Sequence, residues 1–328
     1  MPIMLGYNSY LGFRELSVTT SMNTVPAEFI FCDSMAFTKN IESEIINEMG
    51  VGTRTSRRRV TKNISANGTF SKKVDPNNGI ALYQYLLAGT VTSASNSSLT
   101  FTHTFGQDDE VPSSTRLQFE YAQGGNSATN IRFFNGVVES YSLNAAIGNA
   151  AQETWNLRFS DHTTAANTLA TIAITQTPPI MGNQISVRIG TSLTAVSEVA
   201  MKDFTLNISN EIMENRELST NTVSDFMHGI QNVSGNMNIT FEELTQYNQF
   251  IQQTASAIQV QLSSSDTTSA TTHYIRWNLP RVFYTGATPQ VQSTGEIVQP
   301  ISFEAIFDSG VSYQVQAVVL NADATATK

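Results

Sequence analysis

Cysteine is almost absent. Cys32 stands alone in a chain of 328 residues, so no intrachain disulfide can staple the fold and no thiolate cluster can hold a metal. Histidine is scarce as well: His103, His162, His228 and His273 lie far apart, and none falls in the HExxH or His-x-His spacing of a metal site. Charged side chains make up only 14% of the residues, and 18 basic against 27 acidic groups leave a formal charge of −9. A surface of that sign repels phosphate and excludes a general nucleic-acid clamp. No apolar run reaches the roughly 20 residues of a membrane-spanning helix. Met1-Pro2-Ile3-Met4-Leu5-Gly6 shows no basic segment followed by an apolar core, which predicts a soluble chain without an export signal. Triplets such as Asn63-Ile64-Ser65 then count as strand composition and not as glycosylation sites. Catalytic signatures are missing too. Asp161-His162 sits in a Ser/Thr-rich loop with no Gly-x-Ser-x-Gly turn in the chain. Gly50-Val51-Gly52 runs through Thr53-Arg54-Thr55-Ser56-Arg57-Arg58-Arg59 into another strand, where a phosphate cradle requires a helix start. No catalytic residue, cofactor or metal ligand is predicted.

What the chain does contain is the same sentence written twice. Phe37-Thr38-Lys39-Asn40-Ile41-Glu42-Ser43-Glu44-Ile45-Ile46 returns as Phe204-Thr205-Leu206-Asn207-Ile208-Ser209-Asn210-Glu211-Ile212-Met213, a shift of 204 − 37 = 167. Lys62-Asn63-Ile64-Ser65-Ala66-Asn67 returns as Gln231-Asn232-Val233-Ser234-Gly235-Asn236, a shift of 231 − 62 = 169. Further along, Tyr83-Gln84-Tyr85-Leu86 answers Asn248-Gln249-Phe250-Ile251, and both Ile131-Arg132-Phe133 with Ile275-Arg276-Trp277 and Leu157-Arg158-Phe159 with Ile301-Ser302-Phe303 share a shift of 144. Collinear echoes predict an internal duplication, residues 1–170 and 171–328, whose first copy carries extra loop residues.

Each copy reads as mainly β. Residues 35–47 and about 60–74 alternate apolar and polar positions, the pattern of strands with one oily face and one face of amides and carboxylates. They pair as a long hairpin with a glycine-hinged basic loop at its tip. A short helix near residues 80–87 follows, then a strand pair with long loops over 90–114 and further strands to Phe159. Ser160 to about Gly182, with Pro178-Pro179, reads as the linker. The second copy repeats the order through strands at 185–190, 201–214 and 230–240, a helix at 241–255 and strands at 256–263, 273–284, 295–307 and about 311–319. Its tip, Glu217 to Asp225, lacks arginines. Residues 1 to about 30 read as an extended arm.

The polar strand face recurs four times, in 35–47, 60–74, 201–214 and 230–240, and a closed ring of such strands would line a channel. Arg54, Arg57, Arg58 and Arg59 admit a nucleic-acid patch, a partner-binding tip or a solvated turn; with no aromatic interleaving, the planar guanidinium fork favours an acidic rim on another copy.

This order of elements, with the paired Phe-Thr-x-Asn-Ile-x-x-Glu-Ile and Asn-[Ile/Val]-Ser-[Ala/Gly]-Asn stretches, resembles the tail tube proteins of long-tailed bacteriophages, in the branch that fuses two copies of the tube fold in one chain. The resemblance implies two tandem β-sandwich or barrel units, each with one short helix. Trimers would close pseudo-hexameric rings around a continuous β-barrel, and the rings would stack into the tail tube that conducts DNA during ejection. It implies a lumen wall of Thr38, Asn40, Glu42, Glu44, Asn63, Ser65 and Asn67, continued by Thr205, Asn207, Ser209, Glu211, Asn232, Ser234 and Asn236, and an inter-ring loop of Arg54, Arg57, Arg58 and Arg59. DNA would pass without specific binding, and tape-measure and tail-terminator proteins are the expected partners of a virion tail assembled in the host cytoplasm. Lys72 and Lys73 do not fit a wall without cations. A β-rich surface adhesin, another structural virion protein and a carbohydrate-processing β-sandwich enzyme are the rival readings.

Overall fold

The structure, a computed structural model, describes residues 10–17, 26–46, 58–97, 99–108, 115–122, 130–164, 177–268, 271–289 and 297–324. Their backbone is dominated by strands. The amide- and Thr-rich alternation of the first repeat forms β3 (Ser34–Ile46) and β4 (Arg58–Lys73), and that of the second forms β13 (Met201–Asn215) and β14 (Asp225–Thr240). β1 (Tyr10–Ser17) and β2 (Glu28–Ile30) precede them, and β5 (Ala88–Ser97), β6 (Thr100–Gln107), β7 (Thr115–Ala122), β8 (Asn130–Ala146), β9 (Gln152–Phe159) and β10 (Asp161–Thr163) complete the first half. The second half adds β11 (Ile185–Gly190), β12 (Val196–Glu198), β15 (Ser256–Thr268), β16 (Thr271–Gly286), β17 (Val298–Ala305) and β18 (Gln316–Asn321). Helices α1 (Leu82–Leu87) and α2 (Thr245–Gln252) stand where the two short helices are predicted, the second shorter than expected at both ends.

All the strand pairings in the ladders are antiparallel. One run goes β3, β4, β9, β8, β13, β14, β17, so that the two hairpins lie in one sheet with β8 and β9 between them. A second run goes β12, β11, β15, β16, β18, β6, β5. β16 joins the two runs: its residues 282–286 pair with β17 and its residues 274–278 with β18. The first part of β8 turns away to pair with β7 and β10, and β7 pairs in turn with β1, which pairs with β2. Among the described residues these pairings close no circuit, so the chain is one large antiparallel sheet that is not closed into a barrel. The barrel expected of each unit is therefore not formed by its own strands, because the ends of the runs find no return pairing.

Between the two runs lies a large apolar core, with a small separate cluster of Val137, Val223 and Phe226. The Tyr141 ring from β8 meets Trp277 from β16 at 5.3 Å, and Tyr83 of α1 lies 5.2 Å from the same indole and 5.7 Å from Trp155 of β9. Five of the six residues of α1 are buried, so it is a plug in the core and not a surface helix.

The arm and the linker need correction. Residues 10–17 are not a free arm: β1 pairs with β7 over its whole length, from Tyr10 opposite Ala122 to Ser17 opposite Thr115. The two ends of the linker are likewise tied down. β10 pairs with β8, and Ile180, fully buried, donates its N–H to Val74 at 3.1 Å and accepts from Ala151 at 2.9 Å. The boundary at residue 170 lies outside the described residues.

Candidate functional site: the polar face of the long sheet

Residues directly opposite one another across an antiparallel ladder share a face. Starting from β3, Ser34 faces Ser71, which faces Thr154, then Ser142, Asn207, Ser234 and Glu304, a row that crosses seven strands. A second row runs Thr69, Asn156, Ser140, Ser209 and Asn232, and a third Asn144, Thr205, Asn236 and Ser302. The reason is local: each strand alternates, and its apolar positions are taken up by the core. Ala66, Phe70, Phe204, Leu206, Ile208, Val233 and Met237 are buried on the other side.

None of the fourteen predicted wall residues is buried. Thr38, Asn40, Glu42, Glu44, Asn67, Ser209, Glu211, Asn232 and Asn236 are exposed, and Asn63, Ser65, Thr205, Asn207 and Ser234 are half-buried. Side-chain hydrogen bonds knit them across strands. Thr38 Oγ1 donates to Asn67 Oδ1 at 2.6 Å, Asn63 Nδ2 to Glu42 at 2.7 Å, Thr205 Oγ1 to Asn144 Oδ1 at 2.9 Å and Ser302 Oγ to Asn236 Oδ1 at 2.8 Å. Thr69, Ser71, Ser140, Ser142, Asn144, Thr154, Asn156 and Ser302 belong to the same face, although none of them is among the fourteen residues predicted for the wall. The signal was present in the alternation of Ser140, Ser142 and Asn144 and of Thr154, Asn156 and Arg158.

The cations on and beside this face are held by carboxylates. Arg158 reaches Glu139 at 2.5 Å and Glu214 at 3.5 Å, and Arg216 reaches Glu214 at 2.6 Å. The hydrogen bond it donates to Glu139 holds the Arg158 guanidinium above its ordinary pKa. Lys62 pairs with Glu44 at 2.8 Å, and that bond raises its pKa in the same way. Lys73 pairs with Asp33 at 3.2 Å. Lys72, which seemed to spoil the wall, is on the opposite side and fully buried against Glu153.

Of the predicted tip, Arg54 and Arg57 lie outside the described residues, while Arg58 and Arg59 open β4 and are exposed. Arg59 Nε donates to Ser43 Oγ at 2.8 Å. The second tip folds back on the first hairpin: Ile64 N–H donates to Asn221 O at 2.7 Å, and Arg216 Nη1 donates to Ile64 O at 3.3 Å. Among the described residues no three His, Cys, Asp or Glu side chains gather as a metal site, and no helix is long and apolar enough to cross a membrane.

Fold and face together give a β-protein with a broad, hydrogen-bonded polar sheet surface. The chain belongs to the phage tail tube protein family, which matches residues 6–305. It is a structural component of a phage tail. No curated protein matches it. Among solved structures it is similar to the tube-terminating cap of an anti-feeding prophage, at 18% identity and a TM-score of 0.32 over 45% of this chain and 95% of that one.

Proposed function

We propose that this protein is a fused two-copy tail tube subunit, residues 1–170 and 171–328. Three chains close a pseudo-hexameric ring, and stacked rings make the tube through which DNA leaves. The duplication is supported by register. Thr38 opposite Asn67 and Thr205 opposite Asn236 are the same pair under the shifts 167 and 169, and Asn67 opposite Arg158 becomes Asn236 opposite Ser302 under 169 and 144.

One observation carries the assembly: within the chain, a strand of the first copy pairs with the outer edge of the second hairpin, and among the described residues no strand pairs with the outer edge of the first. β13 is paired on its outer edge by β8, whereas β3 pairs with β4 alone. Ile208 is 0% exposed where its counterpart Ile41 is 52% exposed. A long unpaired edge beside exposed apolar side chains is a liability unless another chain closes it. A neighbouring chain offering its second copy to β3, as β8 meets β13, gives a head-to-tail contact that closes into a ring.

In that ring the fourteen predicted residues, with the eight from neighbouring strands, form the inner wall. Cations neutralise duplex phosphates at a salt slope of about 0.9 per contact, so a wall of amides, hydroxyls and paired charges lets DNA slide. The arginine tip meets the adjacent ring, and tape-measure and terminator proteins occupy and end the tube. Electron microscopy of the concentrated protein tests the reading. Stacked rings of uniform width with a central hole and near-sixfold symmetry are expected; compact single particles at every concentration, or a reconstruction with the polar face outward, overturn it.

A further inference from the structure

The joint between the two copies also involves the end of a helix. Asn210, on the core side of β13, donates from Nδ2 to Leu86 O at 3.0 Å and to Val138 O at 3.1 Å, and Gln231 Nε2 donates to Leu86 O at 3.0 Å and to Asn210 Oδ1 at 2.8 Å. A bonded pair of side chains on the second hairpin thus caps the C-terminus of α1, whose last carbonyls have no helical partner of their own.

Helix α2 ends in the same way, and among the described residues its side-chain cap is its own Gln253, whose Nε2 donates to Phe250 O at 2.7 Å. Both helices stop at a left-handed residue, Ala88 with φ 58° and Gln253 with φ 52°, and 88 + 165 = 253 is the shift that aligns Leu86 with Ile251. The N–H groups of Gln253 and Thr254 bond back to Phe250 and Gln249, which leaves the carbonyls of Ile251 and Gln252 at the open end. Ile251 is 58% exposed, whereas Leu86 is fully buried. On the first hairpin, the residue aligned with Asn210 is Ser43, by 210 − 167 = 43; the counterpart of Gln231, Lys62 by 231 − 169 = 62, is held by Glu44 at 2.8 Å, and it is Arg59 Nε that donates to Ser43 Oγ at 2.8 Å. Arg59 is exposed.

We infer that Ser43 and Arg59 of one chain cap the C-terminus of α2 in the next chain, with the guanidinium set against the partial negative charge of the helix end and Ile41 and Ile251 buried between them. The partner is a second copy of this protein, and the inference rests on the head-to-tail ring proposed above. It refines the arginine tip: Arg59, turned sideways onto Ser43, serves the contact within a ring, and Arg54, Arg57 and Arg58 are left for the contact between rings. A cation at the last turn of a helix is stabilising, and a carboxylate there is not.

The test uses the full chain in a Cys32→Ser background. Ser43→Cys with Ile251→Cys is assembled under reducing conditions and then oxidised; covalent dimers and trimers on a denaturing gel are expected, with each single-cysteine variant giving monomers. In parallel, Arg59→Glu should raise the concentration needed for ring assembly at least tenfold without changing the circular dichroism spectrum, and Gln252→Lys in the same chain should restore it. If wild-type rings form by microscopy but neither cross-link nor charge rescue is seen, this inference is overturned and the ring stands. If the wild type forms no rings, the ring reading falls and takes the inference with it.

Discussion

Lys72 and Lys73 are neighbours in the chain and opposites in the fold. Lys73 stands at the surface against Asp33, while Lys72, fully buried, holds Glu153 at 2.9 Å and donates to Asn78 O at 2.7 Å. Glu153 also accepts from Tyr83 and Tyr141 and from the Trp155 indole. Burial, followed by the Glu153 charge, pushes both phenols well above their usual pKa, so they remain donors throughout the accessible pH range. A buried carboxylate left without its cation costs about 3–5 kcal/mol, a large part of a domain's usual stability of about 5–15 kcal/mol. Lys72→Met is expected to lower the unfolding free energy by about that 3–5 kcal/mol, and Lys72→Met with Glu153→Gln to recover part of it; denaturant titration measures both. A single variant within experimental error of the wild type would mean the pair is not the keystone of this core.

Between residue and molecule, the two helices show how far repetition goes. α1 and α2 occupy the same place in the order of elements and end in the same left-handed turn, yet α1 lies between two layers and none of the α2 residues is buried. Ala88 adopts φ 58°, where a Cβ is strained by about 1–2 kcal/mol. Glycine is free of that strain, against about 0.4–1 kcal/mol for its looser unfolded chain. Ala88→Gly is therefore expected to stabilise the fold slightly, visible as a small rise in melting temperature; a fall would mean that the Ala88 methyl contributes more in contacts than the turn costs. The second tip is tied to the first hairpin, Arg216 and Asn221 bonding to Ile64.

For the whole molecule, charge on the polar face is the property that sets how DNA would pass. Two lysines on the proposed wall would contribute about 0.9 each to the salt slope wherever they meet phosphate. Asn40→Lys with Asn207→Lys should leave tubes intact by microscopy while slowing genome delivery from a reconstituted phage, with the delay relieved by added salt. Unchanged ejection kinetics would remove those strands from the wall.

The strands of both hairpins, the second tip and the sidedness of Thr38, Asn40, Thr205 and Asn207 were legible from alternation, because a sheet with one buried face forces a period of two onto its sequence. The tertiary structure alone decided that β8 pairs with β7 and β10 along its first part and with β9 and β13 along the rest, bending at bulges near Val138, and that Lys72 turns inward where Lys73 turns out. It also decided that residues 10–17 form an interior strand, and that α1 is covered and α2 is not. Periodicity is a property of one strand and its own two faces. Which strand lies beside it, and what covers a helix end, depend on partners more than a hundred residues away, as Asn210 and Leu86 are, and those no local pattern encodes.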